Sequence, residues 1–173
     1  YDVRRLFGVK RVGHLGTLDP GAAGVLPVCV GRAARLFDYL VDKEKTYIAE
    51  IAFGIATDTQ DSYGKVTETD PNCRVTREML EDVLPKFVGR QKQTAPAYSA
   101  LKVDGRKMYD LARAGEAVPE KIREITIHGL RLMEQTGDNR YLIEVRCSRG
   151  TYIRTLAFDI GAALGVPAYL AFL

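Results

Sequence analysis

Alternation of apolar and polar residues is clearest near the end of the chain. In residues 140–148 every second side chain from Tyr141 to Cys147 is apolar, and the residues between them are mostly charged. This spacing predicts a strand with one buried face. Further strands are predicted by apolar or β-branched runs bounded by turn residues, at 24–31, 45–54 and 122–134.

Apolar residues at helical spacing predict helices between these strands. Residues 151–164 form the longest, with one stripe made of Ile153, Leu156, Ala157, Ile160 and Leu164. Thr76 is suited to cap the start of another helix, which Pro85 would end. Shorter helices are predicted at 1–8, 32–40 and 107–114.

Polar stretches without periodicity predict the connections. Residues 57–64 (TDTQDSYG) form a polar loop and residues 89–98 (GRQKQTAPAY) a basic loop, and Asp104-Gly105 is typical of a hairpin turn. Strands and helices are interspersed without a βαβ rhythm. The pattern therefore favours one α+β domain over residues 1–173, with a mixed, mostly antiparallel sheet flanked by helices and loops.

Residues 13–21 (GHLGTLDPG) combine three glycines, a histidine, a carboxylate and a proline directly before an apolar run. The glycines permit tight turns, and Pro20 disfavours a helical conformation at Asp19. An aspartate in this setting is commonly a turn or cap residue. Because a buried strand is predicted to follow, Asp19 is also a candidate catalytic carboxylate at the edge of the core.

The sequence predicts no metal site. His14 and Asp19 alone do not make a metal site, and His128 and the widely spaced cysteines add no ligand spacing. The three cysteines are expected to be reduced thiols of a cytoplasmic protein. No apolar stretch approaches the ~20 residues that a membrane span needs.

Charge is segregated along the chain although its net value is only +3. Residues 1–35 carry +4 and residues 86–113 carry +5, whereas residues 36–85 carry −6. Two basic segments on one surface could attract a polyanion, although charge blocks on solvated faces are common.

Two other side chains are chemical candidates. Tyr47 lies in a predicted strand, where a core aromatic is the ordinary interpretation. Arg154 lies in the first helical turn, where the helix dipole disfavours a cation, so it needs an anionic partner. That partner is either a neighbour such as Asp159, in a surface ion pair, or a carboxylate on another segment.

Five ordered motifs resemble the bacterial tRNA pseudouridine-55 synthases of the TruB family, over essentially the whole chain. The first, residues 13–28, resembles the catalytic motif of that family. The others resemble its tyrosine strand, acidic loop, RNA-gripping insertion and arginine motif, at 45–47, 57–64, 93–109 and 147–156. An insertion is expected at about 86–115.

The resemblance implies roles for individual residues. Asp19 would be the nucleophile, Tyr47 the general base against the target uracil, and Arg154 the partner of Asp19. Tyr152 and Leu173 would line the pocket of the flipped uridine. Further RNA contacts are expected from His14, Lys10, Arg11 and Lys102.

The resemblance also implies a substrate and a domain organisation. The expected reaction converts uridine 55 in the T-loop of tRNA to pseudouridine, with no cofactor, no metal, no membrane and no obligate protein partner. Family members begin with a Lys-Pro-x-Gly-x-Thr-Ser strand and end with a PUA-like RNA-binding domain. This chain is therefore expected to be a catalytic-domain fragment truncated at both ends.

Two alternatives remain at this stage. A non-catalytic module that binds or folds tRNA would keep the basic segments but would have no use for Asp19. The second alternative is a pseudouridine synthase that works with a guide RNA. The long insertion favours the stand-alone bacterial type over this alternative.

Overall fold

The computed structural model describes residues 2–40, 44–103 and 105–173 and divides into two compact units, Tyr1–Glu44 and Lys45–Leu173. The first unit contains α1 (Asp2–Phe7), β1 (Val12–His14), β2 (Val28–Val30), a 3-10 helix (Gly31–Leu36) and α2 (Phe37–Leu40). Strands β1 and β2 pair antiparallel. Gly8 follows α1 with a φ of +61°, a conformation that suits glycine.

The buried strand predicted at 24–31 is largely wrong. Only Val28–Val30 forms a strand, and Val25 is 91% exposed. Among the described residues of the first unit only Cys29 is buried. The apolar run therefore lies at a short two-stranded sheet and not in a core. The helix predicted at 32–40 is present in part, because its first half is a 3-10 turn.

The second unit is built on a five-stranded antiparallel sheet. Its elements are β3 (Lys45–Phe53), β4 (Ile55–Thr57), β5 (Val66–Thr69), α3 (Arg77–Val83), a 3-10 helix (Leu84–Phe87), β6 (Gly89–Thr94), β7 (Lys102–Val103), β8 (Arg106–Lys107), α4 (Met108–Arg113), β9 (Ile122–Gly137), β10 (Arg140–Cys147), α5 (Ile153–Leu164) and β11 (Ala168–Phe172). The strand order is β11-β3-β10-β9-β6.

The core lies between this sheet and the helices α3 and α5. The predicted inner face of β10 is confirmed, because all four alternating residues from Tyr141 to Cys147 are buried. Thr76 caps α3 as expected, its side chain accepting a hydrogen bond from the Met79 amide. Helix α5 also forms as predicted and ends at Gly165, which has a φ of +74°.

Both edges of the sheet depart from the sequence prediction. The basic loop predicted at 89–98 is wrong at its start, because Gly89–Thr94 forms the edge strand β6. No strand was predicted at the end of the chain, yet Ala168–Phe172 forms β11, the edge strand beside β3. Edge strands contact one neighbour only, so they show weaker alternation than β10.

Residues 95–121 lie outside the sheet between β6 and β9. The predicted hairpin forms between β7 and β8, and α4 follows it, although Asp104 of the turn lies outside the described residues. The Ala95 amide donates to the Lys121 carbonyl at 2.8 Å, so the two ends of this segment meet. The predicted α+β class with a mostly antiparallel sheet is confirmed. None of the described helices is long and apolar enough to cross a membrane.

Candidate active site

Arg154 is almost completely buried at the start of α5, with 6% of its surface exposed. Its guanidinium donates through Nη1 to the Thr59 carbonyl at 3.1 Å and through Nη2 to the Tyr98 carbonyl at 2.9 Å. The Asp61 carboxylate lies 3.6 Å from Nη1. Three groups from two other segments therefore fix the orientation of this cation.

Asp61 is itself held in place by its loop. Its Oδ1 accepts from the Thr59 hydroxyl at 2.6 Å and from the Tyr63 amide at 3.0 Å, which leaves Oδ2 directed at Arg154. Gly64 allows the loop to close, because a Cβ there would lie 2.3 Å from Thr59 Oγ1. Thr59 thus contacts both the carboxylate of Asp61 and the guanidinium of Arg154, and holds them side by side.

The pairing of Arg154 with Asp19 that the family resemblance implies stays a prediction, and the carboxylate found beside Arg154 is that of Asp61. This carboxylate belongs to another segment, and the burial of Arg154 excludes the surface form of the ion pair. Asp61 was not among the predicted site residues, although residues 57–64 resemble the acidic loop of the family. A buried arginine indicates that an anion must lie beside it, but not which carboxylate supplies the charge.

Tyr47 and Leu173 border the same core. Tyr47 shares the inner face of β3 with Ala49 and lies opposite Val145 of β10, half-buried at the edge of the core. Leu173 follows β11 and also packs against the core. Tyr47 is thus a partly buried aromatic residue at the edge of the core, and its role as general base stays a prediction.

Tyr152 is the residue that precedes α5. Its ring lies 5.4 Å from the guanidinium of Arg123, and its backbone is hydrogen bonded to the side chain of Gln93. It is half-buried. Tyr152 and Arg154 are thus two residues apart at one end of the helix, close to the base of segment 95–121.

The first unit contains the other predicted site residues. Asp19 is half-buried in an irregular turn, in which its carbonyl accepts from the Ala22 amide at 2.9 Å. His14 ends β1 and is exposed, and its Nδ1 hydrogen bonds to the Gly16 carbonyl. Lys10 and Arg11 are exposed just before β1.

Lys102 lies far along the chain from these residues, exposed on β7 within segment 95–121. A cleft of about 380 Å³ opens between this segment and α5, with Pro96, Val118, Thr155 and Asp159 among its lining residues. Burial raises the pKa of the Asp159 carboxyl above its ordinary value. Within the described ranges, no group of three or more His, Cys, Asp or Glu side chains could hold a metal ion.

Comparison with known proteins identifies close relatives. A model of the TruB family pseudouridylate synthases (N-terminal domain) matches residues 4–153. The protein called tRNA pseudouridine synthase B from Symbiobacterium thermophilum is 49% identical over 173 residues, covering 99% of this chain and 58% of that protein. Its counterpart from Bacillus subtilis is 46% identical over 176 residues, covering 99% of this chain and 57% of that protein. The chain therefore spans less than two thirds of the length of these relatives.

Solved structures show the same fold. Cbf5 in a Cbf5-Nop10-Gar1 complex matches with a TM-score of 0.72 and 26% identity, covering 98% of this chain and 41% of that chain. An archaeal Nop10-Cbf5 complex matches with a TM-score of 0.66 and 25% identity, covering 98% of this chain and 39% of that chain. The α+β architecture is thus the pseudouridine-synthase fold, and the family match over most of the sequence shows that the chain belongs to the TruB family.

Proposed function

We propose that this chain is the catalytic part of an enzyme that isomerises uridine 55 in the T-loop of tRNA to pseudouridine. The observation that carries the proposal is the buried Arg154, held by Asp61 and two carbonyls in a member of this family. A buried, preorganised cation in a chain with a basic surface segment suits chemistry on an anionic substrate. The high identity to relatives called tRNA pseudouridine synthase B supports tRNA as the substrate.

Asp19 is the nucleophile in this proposal. A carboxylate in an irregular turn framed by glycines can approach a sugar or a base closely, because the glycines leave space for the ligand. Arg154 would pair with Asp19 and keep it ionised, since an adjacent cation favours the charged carboxylate. The fixed orientation of Arg154 would then set the position of the attacking oxygen.

The reaction balances without an oxidant, a reductant or a second substrate. The bond between N1 of uracil and C1′ breaks, the base turns, and a bond between C5 and C1′ forms. The C5 proton is removed and N1 gains a proton, so no atom is lost overall. Tyr47, half-buried at the edge of the core, is the proposed acceptor of the C5 proton. Three routes give the same overall balance. Asp19 attacks C1′, or it attacks the uracil ring, or it assists elimination to a glycal.

The target uridine must leave its stack to reach these groups, at a cost of a few kcal/mol. Tyr152 and Leu173 would line its pocket, and His14 would occupy the space that it leaves. Phosphate contacts from Lys10, Arg11 and Lys102, all exposed, would offset the cost and make binding salt-dependent. The insertion expected at about 86–115 would grip the RNA through its excess of basic residues.

The stand-alone bacterial type is favoured over a guide-RNA enzyme. Relatives called tRNA pseudouridine synthase B are 46–49% identical, whereas the Cbf5 complexes are 25–26% identical. We propose that the protein acts in the cytoplasm without an obligate protein partner. A pure tRNA-binding module is the alternative, and it would not require the network around Arg154.

The proposal is tested by mapping pseudouridine with carbodiimide labelling on unmodified tRNA. The samples are this chain, the Bacillus subtilis relative as a positive control, and a chimaera in which residues 1–173 replace the matching segment of that relative. Pseudouridine at position 55 with the chimaera is the expected result. Formation by the relative but not by the chimaera would contradict the proposed function.

A further inference from the structure

Two side chains from the sheet hold the turn that leads into α5. This turn, residues 150–152, ends at Tyr152, the residue that precedes the first helical residue. The Tyr152 side chain makes no capping hydrogen bond to the helix. The direction in which Arg154 leaves the helix therefore depends on contacts from outside α5.

Gln93 of β6 makes the more direct of these contacts. Its Nε2 donates to the Tyr152 carbonyl at 3.0 Å, and its Oε1 accepts from the Tyr152 amide at 2.8 Å. Both polar ends of one amide are thus used on the backbone of one residue, 59 positions away. Only 3% of Gln93 is exposed, so water competes little for these bonds.

Arg123 of β9 makes the second contact. Its Nη1 donates to the Gly150 carbonyl at 3.0 Å, and its guanidinium lies 5.4 Å from the centre of the Tyr152 ring. Gly150 has a φ of +83°, and a Cβ there would lie 2.8 Å from Arg123 Nη1. The positive φ of Gly150 favours glycine at this position, and Arg123 lies directly against its backbone.

Gln93 and Arg123 face each other in the sheet at the base of segment 95–121. They are register partners between β6 and β9, and the segment leaves and re-enters the sheet one residue beyond them. The same segment also reaches Arg154 directly, through the Tyr98 carbonyl at 2.9 Å. Residues at the base of segment 95–121 therefore contact the backbone of Tyr152 and the side chain of Arg154.

We propose that Gln93 and Arg123 are positioning residues, which fix the backbone of Tyr152 and thereby aim Tyr152 and Arg154 at the reacting uridine. The inference rests on the proposed function for its effect on rate. Its structural part, that Gln93 holds the Tyr152 amide, is independent of activity. Gln93 and Arg123 lie at the base of segment 95–121. RNA bound by that segment would therefore affect the position of the turn at 150–152.

The test uses Gln93→Met, which keeps the length of the side chain and removes both hydrogen bonds. The matched control is Gln91→Met on the same strand and face, because Gln91 donates only to the nearby Phe87 carbonyl. Both are made in the chimaera, and single-turnover rate and affinity for a T-arm stem-loop are measured. We expect Gln93→Met to lower the rate about tenfold to a hundredfold while affinity changes less than about twofold. Gln91→Met is expected to keep both within about twofold.

A second variant and a second measurement exclude a simple folding defect. Arg123→Met, at a half-exposed position, is expected to lower the rate without changing affinity by more than about twofold. Amide hydrogen exchange at Tyr152 should accelerate about tenfold in Gln93→Met and stay unchanged in Gln91→Met, because only the former loses its acceptor.

Equal rates in Gln93→Met and Gln91→Met, or unchanged exchange at Tyr152, would overturn the positioning proposal. If the unsubstituted chimaera forms no pseudouridine, the proposed function fails. In that case the exchange at Tyr152 alone decides whether Gln93 holds this turn.

Discussion

At the scale of single residues, the most constrained group is the guanidinium of Arg154. Removing a cation from water costs several kcal/mol unless anions and carbonyls replace its hydration. Thr59, Tyr98 and Asp61 supply that replacement here. A purely structural role would not require a cation at the start of a helix, where the dipole opposes it. The cost is understandable if Arg154 serves a reaction.

Asp61→Asn tests this arrangement. The substitution keeps the shape of the side chain but removes the negative charge that lies 3.6 Å from the buried Arg154 guanidinium. We expect a loss of about 3 kcal/mol in the free energy of unfolding, measured by denaturant titration. The single-turnover rate should also fall, because Arg154 is then free to reorient. An unchanged free energy of unfolding would show that the Asp61 charge does not stabilise the buried guanidinium.

Asp159 gives a prediction about pH. Burial raises the pKa of its carboxyl above the ordinary value of 3.8, so the folded protein holds this proton where the unfolded chain has released it. Stability is therefore lost as pH rises from about 4 through the raised pKa. Asp159→Asn should raise the melting temperature at pH 7, and the gain should disappear towards pH 4. A difference that does not depend on pH would contradict this account.

At the scale of elements, the packing of α5 on β11 is set by one glycine. A Cβ at Gly161 would lie 2.5 Å from the Ala168 Cβ and 2.8 Å from the Val166 carbonyl oxygen. The Val166 amide donates to the Gly161 carbonyl at 3.0 Å, which closes the connection between helix and strand. Glycine in the middle of this helix thus permits the strand to lie directly against it.

Gly161→Ala should destabilise the protein although alanine favours helices. The gain in helix propensity is about 1 kcal/mol, whereas overpacking against backbone costs about 1–3 kcal/mol. We expect a net loss in the free energy of unfolding, measured by denaturant titration. Adding Ala168→Gly removes one of the two clashes, so it should restore part of the loss. A more stable Gly161→Ala variant would contradict the observed packing.

The elements differ in how well the sequence predicts them. The alternation from Tyr141 to Cys147 is clear because β10 has a strand on either side and one face in the core. Strands β6 and β11 lie at the edges, where polar residues or a short apolar run are tolerated, and neither was predicted. The apolar run at 24–31 predicts a buried strand that is largely absent, since apolar residues such as Val25 are exposed in the first unit.

At the scale of the whole molecule, the residues predicted for the active site are divided between two units. Asp19 and His14 lie in Tyr1–Glu44, and Tyr47, Tyr152, Arg154 and Leu173 lie in Lys45–Leu173. The sequence predicted Arg154 and its need for an anion from local rules alone. Asp61 and Gln93 could not be predicted in this way, because their roles depend on contacts between segments far apart in sequence. The proposal that Asp19 is the nucleophile rests on the family resemblance, and the proposed mechanism depends on that claim.

Asp19→Asn tests that claim most directly. The substitution keeps the size of the side chain and removes the negative charge, so a nucleophile is lost while RNA contacts remain. Pseudouridine at position 55 is measured under single-turnover conditions in the chimaera, together with affinity for the T-arm stem-loop. We expect no detectable pseudouridine. The affinity should stay within about threefold of that of the unsubstituted protein, a change of less than about 1 kcal/mol in the binding free energy. Substantial turnover by the Asp19→Asn variant would contradict the account.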